Sequence, residues 1–219
     1  MKKTFAVIGL GRFGSSVAKE LTKVGYEVLA VDSDAVRVQE MSAIVTHCVQ
    51  ADSTDEDALK AIGIRNFDVV VVAIGENVQA SILTTLILKD IGVPTLIVKA
   101  KNELHGKVLT KTGADKVIYP ERDMGQRVAH SLISPNILDY IELSDNYSIV
   151  EIRATGRLVG KSLKELEIRA RHQCNVMAIK NGHDMDITPD ANALIKPTDI
   201  LVVVGRNEDL IKFEKTYSE

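Results

Sequence analysis

The sequence has only two cysteines and no apolar run longer than VVVVAI at residues 69–74, and each scarcity excludes something. A spanning helix needs roughly 20 apolar residues, so we expect no direct membrane insertion. The opening MKKTFAVIGLG runs straight into strand-like pattern, from which we expect a cytoplasmic protein. Cys48 and Cys174 stand in apolar settings without Cys-x-x-Cys spacing, which predicts buried thiols in a reducing compartment rather than a disulfide or a metal site. Positive charge is not in excess: Lys+Arg 27 against Asp+Glu 30 leaves a net charge of -3. Nucleic acid is therefore not an expected partner. His47, His105, His130, His172 and His183 lack metal-ligand spacing, and no nucleophile elbow, Walker lysine motif or paired catalytic carboxylates can be found. A dehydrogenase would need a proton-transfer group and a substrate pocket, and neither set is legible.

What is present is globular pattern: 219 residues, 45% hydrophobic and 26% charged, enough for one large domain or two small ones. Short apolar runs at residues 4–8, 27–31, 46–49, 68–73, 95–98 and 116–118 alternate with helix-period segments, the rhythm of strand and crossover-helix units. Their continuous apolar character predicts a doubly wound, Rossmann-like parallel sheet buried on both faces. Val17, Leu21 and Val24, and Ile82, Leu83, Leu86 and Ile87, recur at helical spacing, and Gly25, Gly63, Gly92 and Gly113 follow the clearest helices as closing residues. After Ser134-Pro135 the rhythm changes. Strands at 147–153, 174–180 and 200–205, with short helices near 162–167 and 207–215, predict a smaller α+β domain over residues 135–219, following an α/β domain over 1–134.

The strongest chemical signal is Gly9-Leu10-Gly11-Arg12-Phe13-Gly14 between the first strand and the first helix. Gly9 permits a tight turn, Gly11 lets a pyrophosphate approach the backbone, and Gly14 lets the helix pack against the strand. The helix N-terminus then faces the anion. Asp32 closes the second strand about 20 residues further on, where a carboxylate accepts hydrogen bonds from ribose hydroxyls and repels a 2'-phosphate. Its alternative is to cap the helix near Ala35, for which Asp34 is the better candidate. Asp52 and Ser53, after the third strand, stand where an adenine would lie, and Asp52 is equally a candidate cap for the helix near Asp55.

Arg12 occupies a variable position of the loop, from which a guanidinium reaches a phosphate beyond the two cradled by backbone. That favours a nucleoside triphosphate over a dinucleotide. Glu121 follows Tyr119-Pro120 at the carboxyl edge of the sheet. A carboxylate beside phosphates is repulsive unless a cation lies between, so a functional Glu121 implies a bound divalent or monovalent cation, and otherwise it favours the N-terminus of its own helix.

With GLGRFGSSVA, AVDSD, ADSTDED, VVAIGEN, VKAKNELHGKVL, GADKVIYPERDM and LDYIELSDNYSIVEI together, the whole chain resembles the regulator of potassium conductance family, and within it the cytosolic gating subunits of bacterial Ktr transporters. The resemblance implies homodimers assembling into an octameric ring beneath a membrane potassium-translocating subunit, with ATP favouring the active state and ADP the inactive one. It assigns Gly9, Gly11 and Gly14 to the phosphates, Asp32 to the ribose, Asp52 and Ser53 to the adenine end, Arg12 to the terminal phosphate, and Glu121 to a cation shared across the dimer. It also implies cyclic di-AMP at a dimer interface of the C-terminal domain, held by Ile168, Arg169, Ala170, Asn175, Val176 and Pro189, with Arg169 facing a phosphate and Asn175 a base. Arg171, His172 and Gln173 match no part of that pattern. An NAD(H)-dependent oxidoreductase and an interaction module that binds nucleotide only for stability are the rival readings.

Overall fold

The computed structural model describes residues 2–133 and 136–217. The expected break at Ser134-Pro135 lies outside the described residues. Two compact units are present, Met1–Glu121 and Arg122–Glu219. This division falls earlier than the 134/135 boundary because the helix that opens at Pro120 continues into the second unit, where its Arg127 pairs with Asp139 at 2.7 Å.

In the first unit, β1 (Thr4–Ile8), β2 (Glu27–Asp32), β3 (His47–Gln50), β4 (Val69–Val72), β5 (Leu96–Lys99) and β6 (Lys116–Ile118) form a parallel sheet ordered β3-β2-β1-β4-β5-β6. The helices are α1 (Arg12–Lys23), α2 (Ala35–Ser42), α3 (Glu56–Ala61), α4 (Val78–Ile91) and α5 (Glu103–Lys111). The strands' apolar runs make sense because alternate residues feed two cores. Ala6, Ile8, Val70 and Val72 pack with Leu59, Leu88 and Leu109 of α3, α4 and α5, while Val7, Val28 and Val71 pack with Ala18 and Met41 of α1 and α2. This is a doubly wound fold, as expected. The order reverses at β1, whose neighbours are β2 and β4, the switch point where a doubly wound sheet generally leaves a crevice outside the carboxyl ends of its strands. Gly25, Gly63, Gly92 and Gly113 all carry positive φ after their helices.

The second unit contains α6 (Pro120–Ile133) apart from its first two residues, then β7 (Ile137–Ser144), β8 (Tyr147–Arg153), α7 (Leu163–Leu166), α8 (Ile168–His172), β9 (Asn175–Asn181), β10 (Asp184–Asp186), β11 (Asp199–Arg206) and α9 (Asn207–Tyr217). Its sheet, ordered β10-β9-β11-β8-β7, is antiparallel. One face is apolar: Val150, Ile152, Leu201 and Val203 pack with Leu166, Ile168, Leu210, Phe213 and Tyr217. Ser162 and Glu165 close a capping box at the start of α7, the Ser162 hydroxyl accepting from the Glu165 N–H and the Glu165 carboxylate accepting from the Ser162 N–H. The segment NILDYIELSDN, expected only as a lead-in, forms β7 itself.

Both thiols are free. Cys174 is buried and its thiol is pushed up to about 11, chiefly by desolvation; half-buried Cys48 is raised for the same reason.

Candidate functional site

Every first-unit candidate lies at the carboxyl edge of the parallel sheet. Gly9 follows β1 with φ +92, its N–H donating to the Val31 carbonyl at 2.8 Å. A side chain there would press against the backbone of Ala73, just past β4, at 3.1 Å. Gly14 is buried in the first turn of α1, and a Cβ on it would collide with the Gly9 carbonyl oxygen. This is the close helix-to-strand approach that the spacing predicted. Gly11 is different. It is the N-cap of α1 with an ordinary extended conformation, and a Cβ there would meet nothing nearer than Arg37 Nη1 at 4.0 Å. The loop therefore lies open above Gly11. No side chain caps α1, so the N–H groups of its first turn, Arg12, Phe13 and Gly14, have no partner within the helix. They present donors and the positive end of the helix dipole to the crevice.

Asp32, 8% exposed at the end of β2, is held from both sides. Its Oδ2 accepts from the Leu10 N–H at 2.6 Å and its Oδ1 from the Asp34 N–H at 2.9 Å. Each carboxylate oxygen retains acceptor capacity for a ribose hydroxyl. The capping alternative falls to Asp34, whose Oδ1 accepts from the Val36 N–H at 2.8 Å. Similarly, Asp55 and not Asp52 caps α3, accepting from the N–H groups of Asp57 and Ala58. Asp52 is exposed and turns to Thr54, whose N–H and hydroxyl hold its carboxyl below the usual range. Ser53 is buried: its hydroxyl pairs with that of Thr84 on α4 at 2.8 Å, and its carbonyl lies 3.1 Å from the same Thr84 hydroxyl.

Arg12 is exposed at the start of α1. Glu121 Oε1 accepts from Lys99 Nζ at 2.5 Å; this bond, with a further contribution from the Arg12 charge, depresses the Glu121 pKa. The positive charge beside Glu121 is thus supplied by the chain itself. Among the described residues no group of three or more His, Cys, Asp or Glu side chains gathers to hold a metal ion. Lys99 and Arg37 were missed by sequence reasoning. Arg37, on α2, brings Nη1 to 3.6 Å from Asp32 Oδ2. Lys99 ends the apolar run LIVK of β5, and a charge closing an apolar strand is the same signal that marked Asp32.

The second-unit candidates divide by exposure. Ile168 is buried in the core, Arg169 and Ala170 are exposed on α8, Asn175 is exposed at the start of β9, Val176 is half-buried, and Pro189 is half-buried beyond β10. The sequence places Arg169 through Val176 on adjoining elements, and Ile168 serves the packing beneath them.

The donor-lined loop, the rim acid and the open space above Gly11 fit a nucleotide: amides for phosphates, carboxylate for ribose. A doubly wound sheet carrying these at its switch point defines a Rossmann-like nucleotide-binding class of domain. Residues 5–120 match the TrkA-N domain family and residues 147–217 the TrkA-C domain family. The chain is 55% identical to Ktr system potassium uptake protein C of Bacillus subtilis (strain 168), over 98% of this chain and 97% of that protein, and 50% identical to Ktr system potassium uptake protein A of the same organism, over 97% and 96%. The GsuK RCK domain superposes with a TM-score of 0.72 at 18% identity, covering 100% of this chain and 48% of that one. The chain belongs to the regulator of potassium conductance family, among the Ktr system potassium uptake proteins.

Proposed function

We propose that this protein is the cytosolic gating subunit of a Ktr-type potassium uptake system, reading ATP against ADP in its first unit and passing the difference to a membrane potassium-translocating subunit. The observation that carries the reading is Arg12 at the open N-terminus of α1 with its charge felt by Glu121, so that charged groups of both signs gather where terminal phosphates would lie. Gly9, Gly11 and Gly14 shape the loop, the amides of Arg12, Phe13 and Gly14 hold phosphate oxygens, Asp32 orients the ribose, and Asp52 and Ser53 border the adenine. ATP brings one more charged group than ADP, and Arg12 is placed to meet it. A cation at Glu121 would draw its remaining ligands from phosphate oxygens or from a second copy of the chain.

Homodimers assembling into an octamer would let several subunits share the work. Shifting a gate from 1:99 to 99:1 takes about 5.5 kcal/mol of differential binding, less than 1 kcal/mol from each of eight sites. Among the described residues no helix is long and apolar enough to cross a membrane; attachment at the membrane would run through the partner. In the second unit, exposed Arg169 and Asn175 offer a guanidinium and an amide, the chemistry needed for a phosphate and a base of cyclic di-AMP.

Calorimetric titration of the purified protein with ATP, ADP and NADH tests the reading. Adenylate binding with different affinities or heats for ATP and ADP is the expected result. No adenylate binding, or hydride transfer to a metabolite, would reject it.

A further inference from the structure

Between Arg153 and Arg171 the chain carries six basic side chains against two acidic ones, although its net charge is -3. Three of the six converge. Arg157, Lys161 and Arg171 line one open cavity of about 370 Å³ in the second unit, together with Glu165 and the buried residues Leu166 and Tyr217. That volume is in the range of small-molecule sites. The loop before α7 supplies Arg157 and Lys161, the end of α8 supplies Arg171, and the end of α9 closes the wall. Arg157 is anchored there, its Nη1 donating to the Thr216 carbonyl at 3.1 Å.

The two carboxylates nearby are committed to local bonds. Glu165 Oε2 accepts from the N–H and the hydroxyl of Ser162, at 2.8 and 2.9 Å. Glu167 Oε2 accepts from Nε and Nη2 of Arg171, at 3.1 and 2.9 Å, which fixes one edge of the guanidinium and leaves Nη1 without a partner among the described residues. Glu167 holds this position at φ +46, a left-handed conformation that a glutamate seldom takes. Lys161 forms no ion pair among the described residues. The cavity is thus lined by an ammonium and a guanidinium edge with donors to spare. Arg169 is not part of it: two residues before Arg171, it points away from Arg171 around α8. The cavity is therefore separate from the surface proposed above for cyclic di-AMP.

We propose that this cavity binds a phosphate monoester, with Lys161 and Arg171 as its ligands and Arg157 as a fixed positive wall. A phosphate monoester carries nearly two negative charges and three acceptor oxygens, which match an ammonium and a guanidinium edge. Leu166 and Tyr217 give its organic body an apolar surface to lie against. A merely solvated basic face makes a different forecast, responding to ionic strength and to no particular anion. The phosphate arrives either on a soluble ester or on a lipid headgroup, and the test separates these sources. The inference stands apart from the nucleotide reading of the first unit.

Amide exchange of the full chain, followed by mass spectrometry, reads this cavity separately from the first unit. The probes are glucose 6-phosphate, glucose, sodium chloride at matched ionic strength, and phosphatidylcholine vesicles with or without phosphatidic acid. Slower exchange over residues 157–162 and 166–173 is expected with a phosphate source and not with glucose, chloride or plain vesicles. Protection by the ester, by the phosphatidic acid vesicles or by both supports the site, and the pattern names the source. Lys161→Gln should raise the half-saturating concentration about tenfold or more, the scale of one charge-assisted contact, and Arg171→Gln should do the same. Lys161 is exposed and its structural bonds, to Leu158 and Ile195, run through its backbone, so the substitution leaves the fold intact. No protection from either phosphate source, equal protection by chloride, or unchanged protection in Lys161→Gln would overturn the proposal. Arg169→Ala is expected to respond as the parent does, and a loss matching that of Lys161→Gln would put the anion on the other side of α8 and overturn it as well.

Discussion

Asp32 Oδ2 accepts a hydrogen bond from the Leu10 N–H at 2.6 Å, tying the end of the second strand to the middle of the glycine loop. The acid proposed to hold the ribose therefore also fixes the glycine loop. Replacing Asp32 by Ala strands the N–H of buried Leu10, which should cost about 1–3 kcal/mol in chemical denaturation. Adenylate affinity should fall further than loss of the ribose contact alone explains.

The loop glycines separate folding from binding. Gly14→Ala drives a Cβ into the Gly9 carbonyl and should destabilise the protein by about 3 kcal/mol. Gly11→Ala meets no neighbour nearer than 4.0 Å and should cost about 1 kcal/mol or less. In the proposed site its methyl would stand where the phosphates approach the backbone, so any stabilisation that ATP gives the parent in a thermal melt should be lost. Retained ATP stabilisation in Gly11→Ala would move the phosphates elsewhere.

His105 gives the first unit an acid-side weakness. It is 3% exposed, its Nδ1 accepts from the Lys101 N–H at 3.2 Å, and its buried Nε2 has no partner among the described residues. Desolvation lowers its pKa from the ordinary 6.5. The folded state thus prefers neutral His105, and the unfolded chain takes up the proton first. Stability from this group is fully present above about pH 6.5 and is lost as pH falls through the depressed value. His172 is also lowered by desolvation and shifts stability in the same sense, so the diagnostic comparison is His105→Gln against the parent. Denaturant midpoints measured from pH 8 to 5 should fall less steeply in the variant.

The capping box predicts a local effect in the second unit. Ser162→Ala removes the acceptor for the Glu165 N–H and should cost about 1 kcal/mol. Amide exchange should quicken around α7, while the amides of β1 and β4 keep their protection.

Much of this was legible in the sequence because burial and backbone geometry leave strong marks. Strands buried on both faces show as unbroken apolar runs such as VVVV of β4, and Gly9 and Gly14 are dictated by sterics that a larger residue does not satisfy. β7 was not legible as a strand. All of it is exposed or half-buried, so its eight residues carry no strict alternation, and β10 is three exposed residues, Asp-Met-Asp, too short for an apolar pattern. The choice of cap at α3 was ambiguous because Asp52 and Asp55 both precede the helix, and hydrogen bonding to Thr54 decides it. Lys99 escaped notice because its meaning depends on Phe13, Gly75 and Glu121, residues distant in sequence that the parallel sheet brings to one edge.

Potassium flux into vesicles carrying a Ktr membrane subunit, with this protein added and either ATP or ADP supplied, tests the central claim most directly. Flux should be greater with ATP than with ADP, and Arg12→Ala should narrow the gap. Equal flux with both nucleotides in the parent protein would contradict the account.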